Sequence, residues 1–134
     1  MSTVLTDDRE ILFRQVHPNF VVDGQLSSQP FQPTVKDEGK LSVDRSALTD
    51  AAGSFNLYIS DGHKSVAVYG LTVGEFGAQQ IACHSDPLAQ SDSQTANAAH
   101  AFADYSPHSV NQQKIKAKRL KNMALSRGCL YPLA

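Results

Sequence analysis

Nine residues near the middle of the chain, Ser65-Val-Ala-Val-Tyr-Gly-Leu-Thr-Val73, constrain the fold more than any other stretch. β-Branched and aromatic side chains recur through it, and these lose rotamer freedom in a helix but pack well on a pleated surface. The run has the length of a strand and falls far short of the ~20 apolar residues that span a bilayer. Because both of its faces are largely apolar, it is expected at the centre of a small mixed or antiparallel sheet. One strand cannot bury itself, so the remaining residues must supply partner strands and a covering layer. The chain has 134 residues, 41% of them apolar, which is room for a single domain, 1–134, with one core.

Local signals place the other elements. A short helix is expected over 6–16, with Thr6 or Asp7 as its cap, Glu10 three residues after Asp7, and Ile11, Leu12 and Val16 as apolar contacts. Pro18 disfavours helical geometry at His17 and stops it. Residues 17–40 hold Pro18, Gly24, Pro30, Pro33 and Gly39, so they form an extended loop, anchored by Phe20, Val21, Val22, Leu26 and Phe31. Leu41–Val43 reads as a short strand. A helix over 49–59 follows, capped by Ser46 or Thr49, with Leu48, Ala52, Phe55 and Ile59 at helical spacing. Glu75–Gln80 allows one helical turn, Ile81–His84 a short strand, and 85–97 a mobile polar loop. Ala99–Tyr105 is a further strand with Phe102 inward. The closing helix, 109–127, opens on Ser109 with Gln112 three residues on and stops at Gly128. Val110, Ala117, Leu120 and Ala124 form its core stripe. Leu130, Tyr131 and Leu133 suit an edge strand, where Pro132 is tolerated. The fold class is α+β: a sheet centred on 65–73 and flanked by the helices at about 49–59 and 109–127.

Two cysteines, Cys83 and Cys129, are too few for a disulfide framework, and the first residues contain no apolar signal core. The expectation is a cytoplasmic protein with reduced thiols. Cys83, His84 and Cys129 lack the spacing of a zinc site, and neighbouring strand residues point to opposite faces, so no metal is expected. Neither G-x-x-x-x-G-K-[ST] nor G-x-G-x-x-G occurs, and no cofactor is expected.

Charge is divided along the chain. All thirteen acids lie at or before Asp104, whereas Lys114, Lys116, Lys118, Arg119, Lys121 and Arg127 stand in the last thirty residues without an acid. Lys114, Lys118 and Lys121 share one helical ridge and are candidate binding residues, together with Arg14, Ser27 and Ser28. The ridge faces either a partner or the acidic remainder of its own fold. Without an interleaved aromatic it offers nucleic acid only weak, salt-sensitive contacts.

Candidate catalytic residues gather in the 17–40 loop: His17, Lys36, Asp37, Glu38 and Lys40. Asp23 with Glu38-Gly39-Lys40 follows the carboxylate, carboxylate, lysine order of metal-dependent nucleases. His17 with Lys36 or Lys40, aided by His100 or His108, has the residue types of a metal-free ribonuclease, because imidazole both takes and returns a proton. Ser27 or Ser28 with Lys36 would make a Ser–Lys pair, but no G-x-S-x-G surrounds either serine. The bland alternative is that His17 ends its element with a structural hydrogen bond.

The run Arg14-Gln-Val-His-Pro-Asn-Phe20, then Asp23-Gly24, Ser27-Ser28, Phe31, Pro33 and Lys36-Asp-Glu-Gly-Lys-Leu-Ser-Val43, resembles an uncharacterised family of small bacterial proteins. Lys116-Ala-Lys-Arg-Leu120, Ala124 and Arg127-Gly128 extend the resemblance over most of the chain. It implies a bacterial or phage origin and a compact single domain, and carries over no catalytic residue. The first functional expectation is therefore a non-catalytic protein-interaction module, a partner or immunity-like component of a bacterial toxin or defence system. A ribonuclease-like or nucleotide-processing enzyme using the His17–Lys40 loop is the alternative. A weak nucleic-acid binder acting through the basic helix is the third. The expected partner is another protein, with no membrane involved.

Overall fold

A computed structural model describes residues 3–132. Six antiparallel strands form the main sheet, β1 (Thr3–Val4), β2 (Ile11–Val16), β5 (Lys40–Arg45), β6 (Ala67–Thr72), β7 (Ala82–Ser85) and β8 (His100–Asp104), in the order β1-β7-β8-β5-β2-β6. The helices are α1 (Ala51–Ser60), α2 (Val73–Ala78) and α3 (Val110–Arg127). The class is α+β, as the sequence implies. No helix among the described residues is long and apolar enough to cross a membrane.

Several expectations need correction. The segment expected as a helix over 6–16 contains β2 instead. Asp7 closes a tight turn, accepting from Arg9 N on its side chain and from Glu10 N on its carbonyl. The Glu10 carboxylate then takes two hydrogen bonds from Arg45, at 2.9 and 3.0 Å, in place of closing a capping box. Leu12 and Val16 turn to one face of the sheet and Phe13 to the other, and β2 pairs with β6 along all six of its residues. β6 itself is the last strand of the main sheet, not its centre; among the described residues its outer side is met only by a bridge from Val68 to Tyr131. It reads as apolar on both faces because α3 packs on one and α1 lies over the other. The cap of α1 is Asp50, whose carboxylate accepts from Gly53 N at 2.7 Å, and neither Ser46 nor Thr49 takes that part.

The core lies between the sheet and α3. Leu12, Leu41, Val43, Leu71, Cys83, Ala101, Ala103 and Tyr105 meet Ala117, Leu120 and Ala124 of α3 and Val73 and Phe76 of α2. Alanines on both sides of this contact let the helix axis approach the sheet closely, which core packing density requires. Phe102, expected inward, points to the opposite face; Ala101 and Ala103 are the inward pair. Val110, expected in the core stripe, is 62% exposed.

Residues 17–39 lie over the edge of this core. They hold a two-stranded hairpin, β3 (Val21–Val22) and β4 (Gln25–Leu26), turned by Asp23 and Gly24, both at positive φ. Phe31 is fully buried and accepts from the Tyr105 hydroxyl at 2.6 Å, whereas Val22, expected as an anchor, is exposed. The loop closes on Glu38 and Gly39 in the left-handed region. At Gly39 a Cβ would lie 2.9 Å from the Ser106 backbone, so only glycine fits. The polar stretch after β7, expected as a mobile loop, forms an arch closed by bridges Leu88–Asn97 and Ser91–Gln94. Leu133 lies outside the described residues.

Candidate functional site

The structure disperses the catalytic candidates of the 17–40 loop. His17 Nδ1 accepts from Asn19 N at 3.0 Å and caps a short turn, and its ring packs against Phe20. Asp37 accepts from both the amide and the hydroxyl of Thr34, at 2.7 and 2.9 Å, in a capping box. Ser27 Oγ accepts from Gln29 N, and Ser28 precedes the next turn without a side-chain cap. Lys36 and Glu38 are exposed. Lys40 lies on the far face of the sheet, its Nζ 5.1 Å from the centre of the Phe102 ring. None of these contacts joins His17 to Lys40. His108 is placed elsewhere again, bonded to the Gln80 carbonyl at 2.8 Å.

Arg14 works as a latch. The register between β2 and β5 runs only from Leu12–Arg45 to Phe13–Asp44. Beyond it the Arg14 side chain donates from Nε to the Pro30 carbonyl at 2.6 Å and from NH1 to the Ser42 carbonyl at 3.0 Å. Burial lowers its pKa from the usual guanidinium value, with Tyr58, Tyr105 and Asp37 acting against that. It therefore ties the loop to the sheet.

The basic helix presents a different picture. Lys114 and Lys118 are exposed and Lys121 partly so, and among the described residues none of the three reaches an acid. Of the basic residues on α3, only Arg127 forms an ion pair there, with Glu75 at 2.8 Å. Lys116 turns inward and donates to the Gln79 carbonyl at 2.7 Å. The ridge does not neutralise the acidic part of its own fold. At its N-terminal end it borders a groove of about 580 Å³ between α3 and the 29–39 segment, lined by Phe20, Pro33, Val35, Val110 and Lys114. Val35 is 98% exposed there, and with Val110 it makes an apolar patch rimmed by a cation.

A second concavity of about 180 Å³ lies on the opposite face, under the arch and beside the end of α1. Phe13, Leu57, Tyr58 and Leu88 form apolar walls, and Ser42, Asp44, Asp61 and His100 supply polar atoms. Asp44 accepts from Ser54 Oγ at 2.7 Å and from Asn97 Nδ2 at 2.9 Å, while Asp61 accepts from the hydroxyl of Thr95 at 2.7 Å. His100 Nδ1 lies 2.9 Å from the Asp86 carbonyl oxygen and 3.4 Å from Asp86 Oδ2, and its Nε2 lies 3.2 Å from Ser42 Oγ.

Compared with protein families, curated proteins and solved structures, the chain matches none.

Among the described residues no three His, Cys, Asp or Glu side chains stand where they could hold a metal ion. Both thiols are free: Cys83 is in the core, while His84, pointing the other way, stacks on Phe102. Sequence reasoning singled out His100 but not its partners. Ser42 sits inside β5, with none of the glycines that flag an exposed nucleophile, and Asp86 stands fourteen residues before the histidine in a segment that reads as plain loop.

Proposed function

We propose that this protein is an interaction module that docks an acidic protein partner on α3 and the groove beside it. The observation that carries the reading is the row Lys114, Lys118 and Lys121, none of which is paired with an acid among the described residues. Three cations on one ridge raise the local potential and steer an oppositely charged surface into register, while rim charges of this kind add little affinity by themselves. The apolar patch at the end of the row supplies what the charges do not. Val35 and Val110 offer desolvation to one or two apolar side chains of the partner. An acidic protein segment studded with apolar residues fits both halves of the surface. Nucleic acid fits this surface less well, because α3 itself carries no aromatic to stack on a base. In a bacterial cell, a small binder of this design suits a partner or immunity-like component of a toxin or defence system, acting in the cytoplasm.

The test is affinity capture from the host of origin with the full chain and with K114E/K118E/K121E, each before and after nuclease digestion. The expected result is an acidic protein held by the unaltered chain, resistant to nuclease, and lost from the triple variant. Retention of the same protein by the triple variant would overturn the reading. Material that disappears on nuclease treatment would replace it with nucleic-acid binding.

A further inference from the structure

The face of the sheet opposite α3 holds reactive groups that the docking surface does not use. Ser42, His100 and Asp86 converge there from β5, β8 and the arch. A carbonyl oxygen only accepts hydrogen bonds, so the contact between His100 Nδ1 and the Asp86 carbonyl places the ring proton on Nδ1. In the neutral ring Nε2 then carries the lone pair, and the Ser42 hydroxyl donates to it. That is the tautomer a general base needs, with the main-chain carbonyl of Asp86 orienting the imidazole toward the hydroxyl and the Asp86 carboxylate nearby, 3.4 Å from the same nitrogen. The imidazole is sheltered, 14% exposed, while Ser42 is open to solvent. A loop pin would require only the Nδ1 contact; the alignment of Nε2 with an accessible hydroxyl is an additional feature.

The surroundings suit acyl chemistry. Strand alternation sets Lys40, Ser42 and Asp44 on the same face of β5, about 7 Å apart in succession. Lys40 Nζ lies over Phe102, the residue directly across from Ser42, so a cation stands on the same patch of the sheet. On the other side of Ser42 opens the 180 Å³ cleft, slightly larger than the ~150 Å³ cavity known to hold benzene. Its two carboxylates, Asp44 and Asp61, repel anionic groups.

We propose that Ser42 is a nucleophile activated by His100, and that the cleft takes the acyl group of a small, neutral or cationic carboxylic ester, which the protein hydrolyses. Ser42 Oγ bonds to the ester carbonyl carbon as its proton passes to His100 Nε2, and the carbonyl π pair moves onto oxygen. Collapse of this adduct re-forms the carbonyl and breaks the bond to the alkoxy oxygen, which takes the proton from Nε2 and leaves as the alcohol. Water then adds to the acyl-serine, giving a proton to Nε2. Release of the carboxylic acid returns that proton to Ser42 Oγ.

An alkyl fluorophosphonate tests this on the full chain, since attack by an activated serine forms an O–P bond and expels fluoride. Peptide mapping by mass spectrometry should find the adduct on Ser42, formed at least ~10-fold faster than on any other serine. It should be absent from S42A and about 100-fold slower in H100Q, the usual scale of general-base loss. Absence of a Ser42 adduct, adducts spread evenly over exposed serines, or labelling of H100Q at the unaltered rate would each overturn the proposal. Mapping on the unaltered chain decides the matter even if H100Q fails to fold.

Discussion

Arg14 shows how much one side chain contributes where backbone pairing stops. Its two donors satisfy the Pro30 and Ser42 carbonyls at the point where the β2–β5 register ends, so it replaces part of a ladder and holds the 17–40 loop down at once. Its guanidinium presents donors in a rigid fork, whereas a lysine ammonium on a flexible stem reaches one carbonyl at a time. Arg14→Lys should therefore lower stability by about 2 kcal/mol, the value of one charge-assisted hydrogen bond left unmade. Urea unfolding should show a lower midpoint at unchanged slope. A loss below ~0.5 kcal/mol would mean that the loop is held by Phe31 and the Tyr105 hydroxyl without it. The same residue explains a limit of sequence reading: Arg14 stands among the binding candidates, whereas the partners the structure gives it are main-chain carbonyls, which leave no trace in side-chain patterns.

At the level of elements, local signals worked where they were strong and local. The Ser109 cap, the Gly128 stop and the Ala117, Leu120, Ala124 stripe defined α3 within a residue, and β5, β7 and β8 lie where short apolar runs stand between breakers. β2 misled because Asp7 and Glu10 imitate a capping box, while the pairing that makes it a strand comes from Arg45 and β6, tens of residues away. The Ser42, His100 and Asp86 group was illegible for a similar reason, since Ser42 and His100 are 58 residues apart. Contacts between elements also set how stability responds to pH. Burial of the Glu75 carboxyl acts against its charge, yet hydrogen bonds from Arg127 and Thr72 and the Arg127 charge outweigh it, so its pKa lies below the ordinary value. A carboxyl depressed in the folded state stabilises above its unfolded pKa of about 4.3, and loses that contribution as pH falls through the folded value. R127Q should therefore be less stable than the unaltered chain at pH 7. The gap should narrow as unfolding is measured at pH 5, 4 and 3.5. A gap independent of pH would show that Arg127 acts through packing and the Gly70 carbonyl, its other partner at 2.8 Å.

For the whole molecule, the two thiols report on different degrees of opening. Cys129 is partly exposed and donates weakly to the Tyr131 carbonyl at 3.3 Å, so local motion of the C-terminal segment suffices to free it. Cys83 is 1% exposed in the centre of the core. Burial, with the Glu10 charge adding to it, pushes its thiol up to about 12, so the reactive thiolate does not form in place. It meets a reagent only when the sheet parts from α3, which is a global event because the same layer holds most of the buried apolar surface. With a thiol reagent at about pH 8, one equivalent should react promptly at Cys129 and the second at least ~1000-fold more slowly, given a stability of 5 kcal/mol or more. Leu120→Ala removes a fully buried side chain from that layer and should cost about 2–5 kcal/mol. At 1.36 kcal/mol per tenfold, Cys83 labelling should then quicken by roughly 30-fold or more, while Cys129 labelling hardly changes. K118E, on the outer face of the same helix, should leave both rates as they are. Equal labelling of the two thiols, or a Cys83 rate that ignores Leu120→Ala, would show that this core opens in parts and that α3 is not what closes it.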